Sequence, residues 1–495
     1  MSPRANQGGG AMTKELRRTS LIVLAMFLSL FVSTSIIQVV AADELRADGR
    51  NSRTFYENVS VNRGPILVAG TPVAYSVPSE GPIEYQRVYA NGPLYAPITG
   101  YLTIGQGNTG LEAALNDYLT GATGGQFFDQ VNAILTGQEP QGAAVETTID
   151  PVLQQTAWDA LGDLQGAIIA IEPKTGRILA MVSKPTFDPN ALAVHDTEAV
   201  IETYEALIAD PNEPLINRAI GGALNHPGST FKLVVASAAL ESGRYTPEST
   251  FPNPSELQLP QSTALIHNDT GQACGSGAPQ VTLYDALRYS CNIPFAELGA
   301  ELTYRAIREQ AVKYGFDTSI AIPMESTPSV YPRVLDAPQT MLSAFGQSDV
   351  RASPLQMAMV SMAIANSGTL MTPTLVDAVI APDQTTLESF EPQTFGQPIS
   401  QTTAAALTAM MVAAVESGPA RDAGIDGFTV AGKTGTAENG PDEPYTLWFT
   451  GFAPAEDPEI AIAVVIENGA GLGQEGTSAI AAGIGRRVIE AVMNR

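Results

Sequence analysis

His226-Pro227-Gly228-Ser229-Thr230-Phe231-Lys232, followed at 233–243 by the apolar run LVVASAALESG, is the stretch on which the reading of this chain turns. Pro227-Gly228 marks a turn, and the apolar residues after it predict a helix with Ser229 at its start. Residues three apart on a helix share a face, so the Lys232 amine is placed within reach of the Ser229 hydroxyl. The helix N-terminus favours negative charge developing nearby. A serine hydroxyl is a poor nucleophile until a base removes its proton. A lysine does this only when burial or a neighbouring cation lowers its pKa. His226 is a rival base in principle, as is a Ser-His-Asp arrangement drawing on His267 and Asp269. No GxSxG elbow accompanies them, and His226 precedes a proline in a turn, so it reads as a structural or rim residue.

Two further pieces share this logic. Ser290-Cys291-Asn292 follows the helix-like VTLYDALRY, and a Ser-x-Asn turn directs a hydroxyl and an amide into one cleft. Lys433-Thr434-Gly435-Thr436 ends the expected strand FTVAG at 428–432. Gly435 there permits close backbone approach, the lysine and threonine hydroxyls suit a carboxylate, and an edge strand suits pairing with an extended peptide. Lys433 is also the cation available to lower the pKa of Lys232. Only six lysines occur in the chain, at 14, 174, 184, 232, 313 and 433, so two of them inside short motifs are not casual.

Working outward, Leu21 to Ala42 carries no charge, a length that spans a bilayer as a helix, and Lys14, Arg17 and Arg18 precede it. The bias of cations to the cytoplasmic side places residues 1–20 inside, an anchor at 21–42, and everything after it outside. A cleaved signal peptide is the rival reading, and the apolar run is long for one. Residues 43–145 read as β-rich pieces broken by Gly and Pro, such as RGPILVAGTPVAYSVP (63–78) and GPLYAPITGYLTI (92–104), with one helix near LEAALNDYL (111–119). From Glu146 the pattern lengthens: a helix after Asp150-Pro151, the strand GAIIAIEP, helices between Leu233 and Val412, strands in YTLWFTGFAP and IAIAVVIEN, and a last helix in SAIAAGIGRRVIEAVMN. ESFEPQTFGQPISQ (388–401) is the most linker-like piece of this α+β domain, which is taken as residues 146–495.

Several classes are excluded. A chain of 495 residues exceeds one ordinary core. The 26 basic against 51 acidic residues, a net charge of −25, argue against a nucleic-acid partner. GQGNTG at 105–110 fits GxGxxG, but it precedes a short helix and no second apolar strand, so it reads as a tight turn. His195, His226 and His267 are dispersed, so neither a metal nor a cofactor is expected. Cys274 and Cys291, the only cysteines, either pair across a loop of about 18 residues in an oxidising exterior or remain free thiols.

The ordered trio SxxK, SCN and KTG resembles the signature of the penicillin-binding proteins and serine β-lactamases. The chain resembles class B penicillin-binding proteins, the membrane-anchored peptidoglycan transpeptidases, of the actinobacterial PbpA type, over nearly its whole length. Similar stretches include Arg63-Gly64 with ILVAGTPVA, GNTGLEAALNDYLTG, TTIDPVLQQTA, AIIAIEPKTGRILAMVSKP, NRAIGGALNHPGSTFK, SPLQMAMVSMAIANSGTLMTP, AGKTGTAE and FTGFAP. The resemblance implies a pedestal or dimerisation-like domain at 43–145, then a penicillin-binding domain with an antiparallel sheet flanked by helices. It implies acylation of Ser229 by a D-Ala-D-Ala stem peptide from the lipid-linked precursor, and by β-lactams. Lys232 would be the general base, Ser290 the proton relay and Asn292 a partner of the substrate amide. Lys433, Thr434, Gly435 and Thr436 would bind its carboxylate end, and the backbone N–H groups of Ser229 and Thr436 would hold the oxyanion. A membrane glycan polymerase and division proteins are the partners such a protein would meet. A D,D-carboxypeptidase or β-lactamase using the same serine is one alternative, although no deacylating glutamate is evident after SCN. A non-catalytic scaffold or β-lactam sensor is another.

Overall fold

A computed structural model describes residues 9–37, 59–123, 126, 137, 139–222 and 224–494. The chain divides into two units, Met1–Asn58 and Val59–Arg495. In the first, α1 (Gly9–Ser35) contains Leu16–Ser35, a stretch long and apolar enough to cross a membrane. Lys14, Arg17 and Arg18, expected ahead of the helix, lie within it, because straight-chain cations are good helix formers. Residues 38–42 of the expected anchor and 43–58 of the expected pedestal lie outside the described residues.

The second unit opens on β1 (Ile66–Val68), β2 (Thr71–Pro78) and β3 (Tyr85–Tyr89), paired antiparallel, and the first two fall in the stretch 63–78 read as β-rich. The next stretch departs from expectation: GPLYAPIT is not strand but α2 (Gly92–Thr99). Its Tyr, Ile and Thr favour strands only weakly when tertiary burial opposes them, and Pro93 suits a helix start. Leu94 through Thr99 are all buried. Pro97 has no N–H for the Pro93 carbonyl, which accepts instead from the Thr186 hydroxyl at 3.2 Å. GQGNTG is a tight turn, in which the Thr103 N–H donates to the Gly107 carbonyl at 3.2 Å. The helix after it, Gly110–Ala114, runs only five residues.

Glu112, on that short helix and fully buried, receives Arg87 Nε at 2.6 Å and Arg63 Nη2 at 2.8 Å. Arg87 Nη1 also donates to the Gly64 carbonyl at 3.0 Å, so one carboxylate organises two buried guanidinium groups and the chain leading into β1. Burial alone would raise the Glu112 carboxyl, yet Arg87 and Arg63 hold it below its ordinary value. β4 (Ala144–Thr147) pairs parallel with β1 and antiparallel with Val376–Ile380. One six-stranded sheet thus combines four strands from residues 66–147 with two from residues 376–389.

α3 (Pro151–Leu161) begins where the sequence places it, with the Asp150 carboxylate accepting the Leu153 N–H at 2.8 Å. β5 (Gly166–Ile171), β6 (Ile178–Lys184), β7 (Ala431–Ala437), β8 (Thr446–Ala453) and β9 (Ile460–Ile466) form an antiparallel sheet in the order β7-β8-β9-β5-β6. The helices include α4 (Lys232–Glu241), α5 (Ile293–Lys313), α6 (Pro354–Ala365), α7 (Gln401–Ser417) and α8 (Ser478–Met493). Every residue of β5, β8 and β9 is buried, which requires cover on both faces. Ile168, Ala170, Phe449 and Val464 pack in the cluster that includes α3 and α8. The alternate residues Ile169, Trp448 and Val465 belong to the cluster that includes α4 and α6. The 388–401 piece, expected as a linker, contributes to two strands instead. Thr386–Ser389 joins Val376–Ile380, and Thr394–Gly396 pairs with Leu370–Met371. Its Thr and Phe residues supply strand propensity that the surrounding Pro and Gly obscured. The arrangement leaves β7 at the sheet edge, facing the turn that carries Ser229.

Candidate active site

Gly228–Phe231 is a single 3-10 turn that runs directly into α4. The tighter turn eclipses residues three apart, and Lys232 Nζ lies 3.0 Å from Ser229 Oγ. Gly228 takes φ +52°, and a Cβ there would come within 2.6 Å of the Thr436 carbonyl oxygen. The Gly346 carbonyl accepts the Gly228 N–H at 3.1 Å. Against this turn runs β7, and the sequence placed the lysine motif at a strand end that is actually its interior: Lys433-Thr434-Gly435-Thr436 all lie within β7, paired with Thr450 to Leu447 of β8. A Cβ on Gly435 would meet the Pro227 carbonyl at 2.8 Å, so only glycine lets the strand pass so near the serine.

Ser290 closes the cluster with φ +61°, a left-handed conformation that costs roughly 1–2 kcal/mol for a residue with a Cβ. Its Oγ accepts from Lys433 Nζ at 2.7 Å, and its carbonyl accepts from Lys232 Nζ at 2.7 Å. Asn292 Oδ1 accepts from the same Lys232 amine at 2.7 Å. Cys291, between them, is disulfide-bonded to Cys274. Thr434 is buried and Thr436 half-buried.

The electrostatics follow from burial. Lys232 is fully buried and Lys433 nearly so. Burial, then the neighbouring Lys433 charge, pushes the Lys232 amine well below its ordinary range, with Asp269 opposing. Burial brings Lys433 down to about 7, again against Asp269. A neutral amine has two N–H donors and one lone pair. The Ser290 carbonyl and Asn292 Oδ1 can only accept, so they take both N–H groups of Lys232 and leave its lone pair for the Ser229 O–H. This geometry suits a hydroxyl nucleophile with a proton acceptor beside it.

The rival bases are placed elsewhere. His226 Nδ1 is engaged by the Val350 carbonyl at 3.0 Å, while its own carbonyl accepts from Trp448 Nε1 at 2.8 Å. Burial and Arg351 lower its pKa. His267 offers a backbone carbonyl, which accepts from Asn292 Nδ2 at 2.9 Å. Asn268 is a residue that sequence reading missed. Its buried Oδ1 accepts the N–H groups of Asn292 at 2.9 Å and Ile293 at 3.3 Å, satisfying the start of α5. Among the described residues no cluster of His, Cys, Asp and Glu suits a metal ion.

Residues 166–490 match the penicillin binding protein transpeptidase domain, and residues 63–145 match the penicillin binding protein A dimerisation domain. The chain is 40% identical over 491 residues to the peptidoglycan D,D-transpeptidase PbpA of Mycolicibacterium smegmatis, spanning 97% of this chain and 99% of that one. It is 38% identical over 491 residues, with the same coverage, to the PbpA of Mycobacterium tuberculosis. Penicillin-binding protein A from M. tuberculosis, in its ceftriaxone acyl-enzyme complex, superposes with a TM-score of 0.84 at 37% identity, over 88% of this chain and 99% of that one. Its imipenem acyl-enzyme complex gives 0.83 at 37% identity, over 88% of this chain and 100% of that one. Because the similarity runs through both domains and not merely through three short motifs, the chain belongs to the class B penicillin-binding proteins.

Proposed function

We propose that the chain is a membrane-anchored peptidoglycan D,D-transpeptidase that works through an acyl-enzyme on Ser229. The observation that carries this is the Lys232 amine, buried, its pKa pushed well below the ordinary range by that burial and by Lys433, and 3.0 Å from Ser229 Oγ. Ser229 Oγ attacks the carbonyl of the penultimate D-Ala while Lys232 takes its proton. The oxyanion rests between the N–H groups of Ser229 and Thr436. The C–N bond then breaks as Ser290 gives its hydroxyl proton to the departing amine and is reprotonated by Lys232, and D-Ala leaves. This frees the lysine to take the proton of the incoming amine. An amine from a neighbouring strand attacks the ester, forming the cross-link and restoring Ser229. Asn292 keeps one Oδ1 lone pair for a substrate amide N–H, and Lys433, Thr434 and Thr436, with Gly435 between them, hold the carboxylate. A β-lactam follows the first half of this path, but its ring nitrogen stays tethered to the acyl group, so the adduct persists.

Residues 21–42 serve as the anchor and 1–20 as a cytoplasmic segment. Residues 43–145 form the pedestal, on which a membrane glycan polymerase and division proteins dock, and 146–495 are the transpeptidase domain. Acceptor dependence separates this reading from hydrolysis. Purified protein given a D-Ala-D-Ala stem peptide and an amine acceptor is expected to yield cross-linked peptide and one D-Ala per link, and Ser229→Ala to yield neither. Release of D-Ala at the same rate without the acceptor, with no cross-linked product, would establish a carboxypeptidase instead.

A further inference from the structure

The segment that follows Leu265–His267 grips the SCN motif at several points. Asn268 caps the start of α5, Cys274 is bonded to Cys291, and the Asp269 carboxylate accepts from Asn292 Nδ2 at 3.1 Å. With one Nδ2 hydrogen on the His267 carbonyl and the other on Asp269, the Asn292 amide has one satisfied orientation, and it turns Oδ1 to Lys232. Reversed, it would present N–H groups to a lysine donor and an oxygen to two acceptors. Asp269 itself is solvent-exposed, so forming this contact does not bury its charge.

We propose that Asp269 is a positioning residue for the reaction at Ser229: it holds the Asn292 amide so that Oδ1 faces Lys232, and it sets a negative charge beside the two lysines. This rests on Lys232 being the base. Among the described residues, the charges that act on Lys232 are Lys433 from β7 and Asp269 from this loop, and Asp269 is the charge that acts on Lys433. Asn292 links Asp269 to Lys232, its Nδ2 meeting the one and its Oδ1 the other. A negative charge favours the protonated amines and so raises the pH at which Lys232 loses its proton. Desolvation has pushed the lysines down, and Asp269 limits how far they fall. The same residue therefore sets both the geometry of the base and the pH at which it becomes competent.

Two substitutions separate these effects. Asp269→Asn keeps an acceptor for Asn292 Nδ2 and removes the charge, whereas Asp269→Ala removes both. The readout is the second-order rate of acylation by benzylpenicillin in the full-length protein, followed from about pH 5 to 10. In Asp269→Asn the acid-side inflection is expected to move down by about 0.5 to 1 pH unit, with the plateau within about twofold of the parent, the shift being modest because the carboxylate is exposed. In Asp269→Ala the same shift is expected with a plateau about tenfold lower, as for a misoriented catalytic contact. An unmoved inflection in Asp269→Asn, or a parental plateau in Asp269→Ala, overturns the proposal. If the unsubstituted protein itself lacks an inflection below the ordinary lysine range, the assignment of Lys232 as base fails and takes this role with it.

Discussion

Replacing Lys232 with methionine is expected to lower the rate of β-lactam acylation by about 10³-fold or more, while the protein still folds. General-base catalysis contributes roughly 10² to 10⁴ in rate, and the substitution also strips the Ser290 carbonyl and Asn292 Oδ1 of the donor they share. Lys232→Arg is the sharper variant. It places a permanent cation and several N–H donors there, but a guanidinium does not release its proton at working pH, so it is expected to be as slow as the methionine variant. The measurement is pre-steady-state acylation, with a melting curve to confirm folding. A Lys232→Arg protein that acylates within tenfold of the parent would mean that the site needs a charge at this position and not a base.

The second large effect concerns stability. Glu112→Ala leaves the Arg63 and Arg87 guanidinium groups in the interior without the carboxylate they share, and breaking a buried ion pair from one side typically costs about 3–5 kcal/mol. Among the described residues, Arg87 already has one buried nitrogen, Nη2, without a partner, so little slack exists to absorb the loss. Glu112→Gln keeps volume and an acceptor and is expected to cost less, in the same direction. Urea titration of the soluble part, compared among the three proteins, reads the ordering. Equal midpoints for Glu112→Ala and the parent would show that water reaches the two arginines and that the network is not essential.

The chemistry-bearing pairs were legible because each depends on short-range geometry. Ser229 and Lys232 sit one turn apart, and in the observed 3-10 turn the spacing of three is the eclipsed one. Lys433 stood out because lysine is scarce in this chain. What escaped was set by distant contacts. Asp269 reads in the sequence only as the acid of a rival Ser-His-Asp set, since nothing local indicates that its carboxylate meets Asn292 across 23 residues. Glu112 is hidden in the same way, its partners lying 49 and 25 residues away. GPLYAPIT was misread because strand propensity is a preference for a half-buried pleated surface, and this stretch is buried as a helix. The lysine motif was displaced along its strand because the expected strand stopped at Gly432, whereas the pairing of β7 with β8 runs on through Ala437.

Mass spectrometry of the intact protein after brief exposure to benzylpenicillin, followed by proteolysis to locate the adduct, tests the central claim most directly. The expected result is one penicilloyl group per chain, on Ser229, persisting for hours after free drug is removed and absent from Ser229→Ala. An adduct on another residue would contradict it, as would unmodified protein alongside rapid accumulation of hydrolysed penicillin.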